Sequence, residues 1–298
     1  MAVVLKEKIS QFVEKRRPVF EDWKHTLYLW RRTKLATIGT VIVLIFVAIA
    51  IISPFIVPYN PLGQNMNQRL QPPSFQHFFG TDQFGRDIFS RVISGAMIEV
   101  EIILIVSVIS GGIGLILGVL AGYFGKVVDE ILMRATDMFL AFPGLILAMA
   151  FAAMLGPSLV NTIIAISLVG WTVFARLARA EAMRVKNQPY IEAVTALGAS
   201  KKRIITFHVI PMCISPVLVQ LTLRMGTVIL TAASLGFLGL GVRPPLPEWG
   251  AMVSDGRSFL LDQWWISTFP GIAIAIVVLG FNLLGDGLRD IMDPRLRR

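Results

Sequence analysis

Between Asp137 and Arg176 the chain runs for 38 residues without one charged side chain. A run of that kind is at home in a bilayer, where every unsatisfied backbone group costs several kcal/mol, so the segment must be helical and about 20 residues complete one crossing. This run is too long for a single crossing, and the "GPS" at 156–158 supplies a turn near its middle. The expectation is two short spans joined by a tight hairpin.

Four further windows meet the same criterion: Leu35 to Val57, closed by Pro54 and Pro58; about Ile102 to Phe124; about Met212 to Gly241, interrupted only by Arg224; and Gln263 to Gly285, between Asp262 and Asp286. The expected fold is therefore all-α, a membrane protein with six transmembrane helices. Composition agrees, since 55% of the 298 residues are hydrophobic and 16% charged, with a mean hydropathy of +0.69, too apolar for an ordinary soluble domain.

The net charge of +9 raises the question of nucleic acid, and the distribution of the charge answers it. An even number of crossings puts both termini on one side. Scored by Lys and Arg with Arg224 set apart, that side carries 22 and the other 5. This bias orients both ends toward the cytoplasm and accounts for the charge without nucleic acid. Charged residues continue through the first 34 positions, unlike a cleavable signal peptide, so the segment is expected to be retained. The one cysteine, Cys213, excludes an internal disulfide framework and is expected to fill space.

The organisation expected from these windows is a cytoplasmic segment at 1–34, an anchor helix at 35–57, an extracytoplasmic connector at 58–94, a five-helix core at 95–288 and a cytoplasmic tail at 289–298. Within the core, residues 176–211 form a long cytoplasmic loop.

That loop contains "EAVTALGASKKRIITFHVIP" at 192–211. Pro189 suits a helix's first turn, Tyr190, Val194 and Leu197 recur at helical spacing, and Gly198 can take the left-handed conformation that ends a helix. Ser200 can cap a second helix, whose Lys201, Lys202 and Arg203 oppose the helix dipole and so mark the cytosolic face rather than add local stability. In the first helix Ala193 and Ala196 keep one flank low, and Tyr190, Val194 and Leu197 offer an apolar face. Two readings remain on physics alone: a short helix shaped for insertion into a partner, or a basic loop lying on anionic headgroups.

The stretch resembles the cytoplasmic loop of ABC importer permeases, whose pattern is Glu-Ala-Ala, three residues, Gly and then a distant Pro. Here the matching residues are Glu192, Ala193, Val194, Gly198 and Pro211, with Val in place of the second Ala. The segments "FGTDQFGRDIFSRVISGA" (79–96), "LTAASLGFLGLGVRPPLPEWGAMVSDGR" (230–257) and "GDGLRDIMDPRLRR" (285–298) extend the likeness. Over about residues 30–298 the chain resembles the C-type permease subunit of dipeptide/oligopeptide ABC importers. The resemblance implies the type I importer permease fold, with the 190–198 helix seated in a cleft of an ATPase subunit. It also implies a second permease, two ATPase subunits that bind ATP and Mg, and an extracytoplasmic substrate-binding protein. Relatives of similar appearance import nickel, glutathione or oligosaccharides.

Other residues invite separate readings. Gly114, Gly118 and Gly122 repeat every four residues along one face of the second span and allow close helix contact. Arg224, near the middle of the fifth span, is expected to face protein or water, and no acid is expected at its depth in another span. It is a candidate to line the translocation path and meet a carboxylate of substrate or of a partner permease, or else to be paired structurally. His77, Asp82 and Asp87 match no metal-ligand spacing, and Asp87 with Arg91 reads as an ordinary i,i+4 pair, so no metal site is expected. Pro244, Pro245 and Pro247 stiffen an outer loop in which Trp249 reads as an interfacial anchor, and the resemblance implies contact there with the binding protein. No G-x-x-x-x-G-K-[ST], H-E-x-x-H or G-x-S-x-G motif is present, so ATP is expected to be bound by other subunits and no cofactor by this chain. A passive channel is the rival of a different class; it predicts flux without ATP or partners.

Overall fold

The computed structural model describes Trp30 and residues 33–292, with side chains through Asp290. Most of the 1–34 segment and of the tail at 289–298 lies outside the described residues. The helices are α1 (Lys34–Ile56), α2 (Ile88–Phe124), α3 (Lys126–Leu140), α4 (Gly144–Leu155), α5 (Leu159–Lys186), α6 (Pro189–Ala196), α7 (Lys201–Phe237), α8 (Trp249–Gly256) and α9 (Trp265–Met292). Among the described residues no strand forms; the one isolated bridge pairs Thr81 with Asp87. Five helices, α1, α2, α5, α7 and α9, are long and apolar enough to cross a membrane, and α3 with α4 makes a sixth if that bent pair counts as one span.

The uncharged run divides differently from the expectation. The hairpin at Gly156 is present: Gly156 turns at φ +82°, Ser158 caps α5 by accepting from the Asn161 N–H, and the Asn161 side chain donates back to the carbonyls of Leu155 and Gly156. The stretch before it is not one straight helix. Its helix breaks at 141–143 and α4 leaves α3 at 89°. Pro143 is the cause, because its ring blocks the carbonyl four residues back and disfavours helical geometry in Phe142. The twelve residues of α4 reach only about 18 Å.

Three boundaries also move. Helix α2 begins at Ile88, inside the 58–94 stretch expected as connector, because Arg91 and Glu99 are buried and do not end the helix. Helix α7 starts in the loop and passes into the span through a π turn at Ile205–Val209. Helix α9 continues past Asp286 to Met292.

Close contacts give the direction of each helix. Gly114, Gly118 and Gly122 of α2 meet the backbone of α5 successively at Trp171, Ala175 and Arg179, so α2 and α5 run parallel at near-backbone distance. Gly111 of α2 stands against Leu221 of α7, while Val119 shares a cluster with Cys213 and Val209; α2 and α7 are therefore antiparallel. Gly39 of α1 abuts Leu284 of α9, and Gly287 abuts Ala36. Both ends of the described chain thus lie on the face that carries α6, opposite the face that carries the connector, the 156–158 hairpin and α8.

Candidate functional site

Helix α6 is held from below and bare on top. Ile191 is 4% exposed and packs with Val185, Ile204, Ile205 and Val209, with Val194 against the same cluster. Tyr190, Glu192, Ala193, Ala196, Leu197 and Gly198 are exposed, Leu197 by 87%. The apolar face expected from Tyr190, Val194 and Leu197 is therefore split: Val194 turns inward with Ile191, because a two-turn helix needs an anchoring side, and Tyr190 and Leu197 face out.

The end of α6 has a Schellman geometry. The Gly198 N–H donates to the Thr195 carbonyl at 2.9 Å and the Ala199 N–H to the Val194 carbonyl at 3.3 Å, with Gly198 at φ +85°. Ser200 then accepts from the Arg203 N–H and starts α7, and the Tyr190 ring lies 6.3 Å from that of His208. This turn joins α6 directly to α7, which continues as one helix into the bundle.

Arg224 lies on α7 in a cavity of about 130 Å³ walled by α2, α4, α5 and α7, with Ser107, Ser110, Gly170, Phe174 and Thr227 among its lining. No hydrogen bond or ion pair joins its guanidinium to another described residue. One expectation is corrected. Gly285 packs on Leu223, so Asp286 does stand at about the depth of Arg224; it is exposed and makes no ion pair with Arg224.

On the connector face, His77, Asp82, Arg86, Asp87 and Arg91 are buried and form a network. Asp82 accepts from the Phe84 and Arg86 N–H groups and from Arg86 Nε at 2.6 Å; Arg91 Nε lies 3.8 Å from Asp82 and Arg86 reaches Asp255 of α8 at 3.7 Å. The expected Asp87–Arg91 pair does not form. Asp87 caps α2, accepting from the Ser90 N–H and hydroxyl, and pairs with His77 Nδ1 at 2.9 Å. Arg91 instead donates to the carbonyls of Pro61 and Pro245. Among the described residues no group of three or more His, Cys, Asp or Glu side chains is placed to hold a metal ion.

Trp249 is not an interfacial anchor. It is 2% exposed, because glycines admit α8 into the bundle: Gly95 of α2 beside Trp249, Gly236 of α7 beside Glu248, and Gly250 of α8 itself against Ala233. Glu248 caps α8, accepting from Gly250 and Ala251 N–H at 2.7 Å each. Burial pushes its carboxyl up to about 7 against the pull of those two donors. Beside it Glu99, fully buried, meets the Trp249 N–H at 3.4 Å and has a second oxygen without a partner. The buried acids and α8 were not found from the sequence; the signals available were the polar residues inside "GTDQFGRD" and the Glu just ahead of Trp-Gly.

The structure is thus a helical membrane bundle in which a short, exposed helix is joined by a tight turn to a span, with the cavity at Arg224 behind it. Residues 114–298 match the family model described as binding-protein-dependent transport system inner membrane component, and residues 22–73 that of the N-terminal TM domain of oligopeptide transport permease C. The chain belongs to the inner-membrane permeases of binding-protein-dependent ABC importers. It is 43% identical over 277 residues, 92% of this chain and 90% of the relative, to the dipeptide transport system permease protein DppC of Alkalihalophilus pseudofirmus. It is 41% identical over 293 residues, 98% of each, to the probable D,D-dipeptide transport system permease protein DdpC of Escherichia coli K12. To the glutathione transport system permease protein GsiD of another Escherichia coli strain it is 41% identical over 286 residues, 95% and 92%. The family is a transport component and not a catalytic subunit.

Proposed function

We propose that this chain is the permease subunit of an importer of di- and oligopeptides, delivered by an extracytoplasmic binding protein. It pairs with a second, similar permease to enclose the path, and two ATPase subunits, which bind ATP and Mg, drive it. The α6 face is cytoplasmic, with both termini, and the connector and α8 face the binding protein. The reading is supported by the names of two of those relatives, which are dipeptide permeases, and by the 22 to 5 division of Lys and Arg.

The observation that carries the mechanism is the exposed top of α6 on a fixed base. Tyr190, Glu192, Ala193, Ala196, Leu197 and Gly198 form the surface that an ATPase cleft receives, with Val194 and Ile191 holding the helix to α5 and α7. Closure of the ATPase pair displaces α6, and α7 carries the displacement toward the cavity at Arg224, which lines the path. Coupling of this kind depends on contacts that differ between the two states of the bundle.

Reconstitution of the complete importer in vesicles tests the reading. Peptide uptake that needs ATP, both ATPases and the binding protein is expected, with nickel and sugars failing to compete. Uptake by the permeases alone, without ATP, would identify a passive channel instead.

A further inference from the structure

The guanidinium of Arg224 is a charge inside a membrane-crossing helix with no partner among the described residues. Such a charge is costly, by about 2.5 kcal/mol or more, and is kept where water or a ligand reaches it. The cavity at Arg224 is large enough for several waters. Its walls are apolar, at Val106 and Phe174, or hydroxyl-bearing, at Ser107, Ser110, Thr227 and Thr231, and contain no carboxylate. Asp286, the acid nearest in depth, is on the exposed side of α9.

The shape of the donor group restricts the visitor. A guanidinium presents a planar fork of N–H donors that matches a carboxylate through two parallel hydrogen bonds. Peptides of different sequence share one anionic group, the C-terminal carboxylate. Passage requires a contact firm enough to favour entry and weak enough to allow release.

We propose that Arg224 is a specificity-determining residue of the path, where it receives the C-terminal carboxylate of a passing peptide. The assignment rests on the peptide-import reading above, and extends it to a chemical rule: free-acid peptides pass and their C-terminal amides are disfavoured at this point.

The test uses the complete importer in vesicles with saturating binding protein, and compares uptake of labelled trialanine with that of trialanine amide. Relative to the unaltered chain, Arg224→Gln is expected to lower the acid-to-amide uptake ratio about tenfold, the scale of one charged hydrogen-bonded contact, and Arg224→Lys to lower it less. An unchanged ratio in Arg224→Gln overturns the proposal. So does an equal loss of both peptides in a normally assembled complex, which would place the contact on a carboxylate of the second permease. Failure of Arg224→Gln and Arg224→Lys to assemble overturns it too, since the guanidinium would then be an interface group. Absence of uptake of either peptide by the unaltered importer would instead overturn the peptide-import reading itself, and the assignment with it.

Discussion

Trp249 donates its indole N–H to the main-chain carbonyl of Val92 at 3.0 Å across 157 positions of sequence, and so ties α8 to the first turns of α2. Around this bond the connector-face brace is assembled: Phe46 of α1 lies 5.9 Å from the Trp249 ring, and Arg86 and Arg91 reach from the connector and α2 toward Asp82 and Asp255. The connector, α2 and α8 are therefore tied to one another by buried contacts. The proposed contact with a binding protein would meet that braced surface and not a free loop.

Asp82→Asn removes the nearer of the two acidic partners of Arg86 in a site where Asp82 and Arg86 are both under 5% exposed. Breaking a buried pair strands a charge and costs about 3–5 kcal/mol. A thermal unfolding midpoint many degrees below that of the unaltered protein in detergent is expected. Glu130→Gln, on an exposed α3 pair with Arg134, should leave the midpoint where it was.

Glu248 makes stability depend on pH. Its carboxyl titrates at about 7 when folded against 4.5 when unfolded, so between those values the folded state keeps a proton that the unfolded chain has lost. Stability through this group is full below pH 4.5, falls as pH rises toward 7 and is level above that. Glu248→Gln retains an oxygen to cap α8 and should flatten the fall measured between about pH 5 and about pH 8. A slope equal to that of the unaltered chain would show that Glu248 is not its source.

The contact of α2 with α5 admits no side chain at Gly118, where a Cβ would lie 2.7 Å from the Ala178 Cβ and 2.9 Å from the Arg179 nitrogen. Gly118→Ala should destabilise by about 1–3 kcal/mol, because α5's backbone must shift. On the same helix Gly112 has nothing within 4 Å of a Cβ, so Gly112→Ala should be harmless in the same unfolding assay.

Two residues of α6 separate anchoring from coupling. Ile191→Ala empties a buried site and should cost about 2–4 kcal/mol in stability. Leu197→Ser alters a side chain 87% exposed, and should leave the unfolding midpoint unchanged while lowering peptide uptake and the ATPase response to loaded binding protein. Full transport in Leu197→Ser would remove that residue from the proposed ATPase contact.

The spans, the Gly156 hairpin, the α6 helix with its Gly198 end and the glycine row of α2 were legible because each rests on local periodicity, turn chemistry or the need of lipid-facing backbone to pair with itself. The break at Pro143 was legible in principle, as Pro-Gly in an apolar run, but is outweighed by the length of that run. The start of α2 was missed because Arg91 and Glu99 read as solvent residues. The direction in which Val194 points could not be read from spacing alone, since both faces of α6 carry apolar residues.

What the chain's order of residues determined by itself was where helices cross, which end of each is basic and where short turns interrupt them, all of which depend on groups within a few positions of one another. Only the tertiary structure decided that Asp82, Arg86, Arg91 and Asp255 come together in one site, that Trp249 is enclosed and that Arg224 faces a cavity without a counter-charge among the described residues. Those outcomes depend on backbones approaching closely at glycines far apart in sequence, and on dielectric surroundings that exist only once the helices are packed.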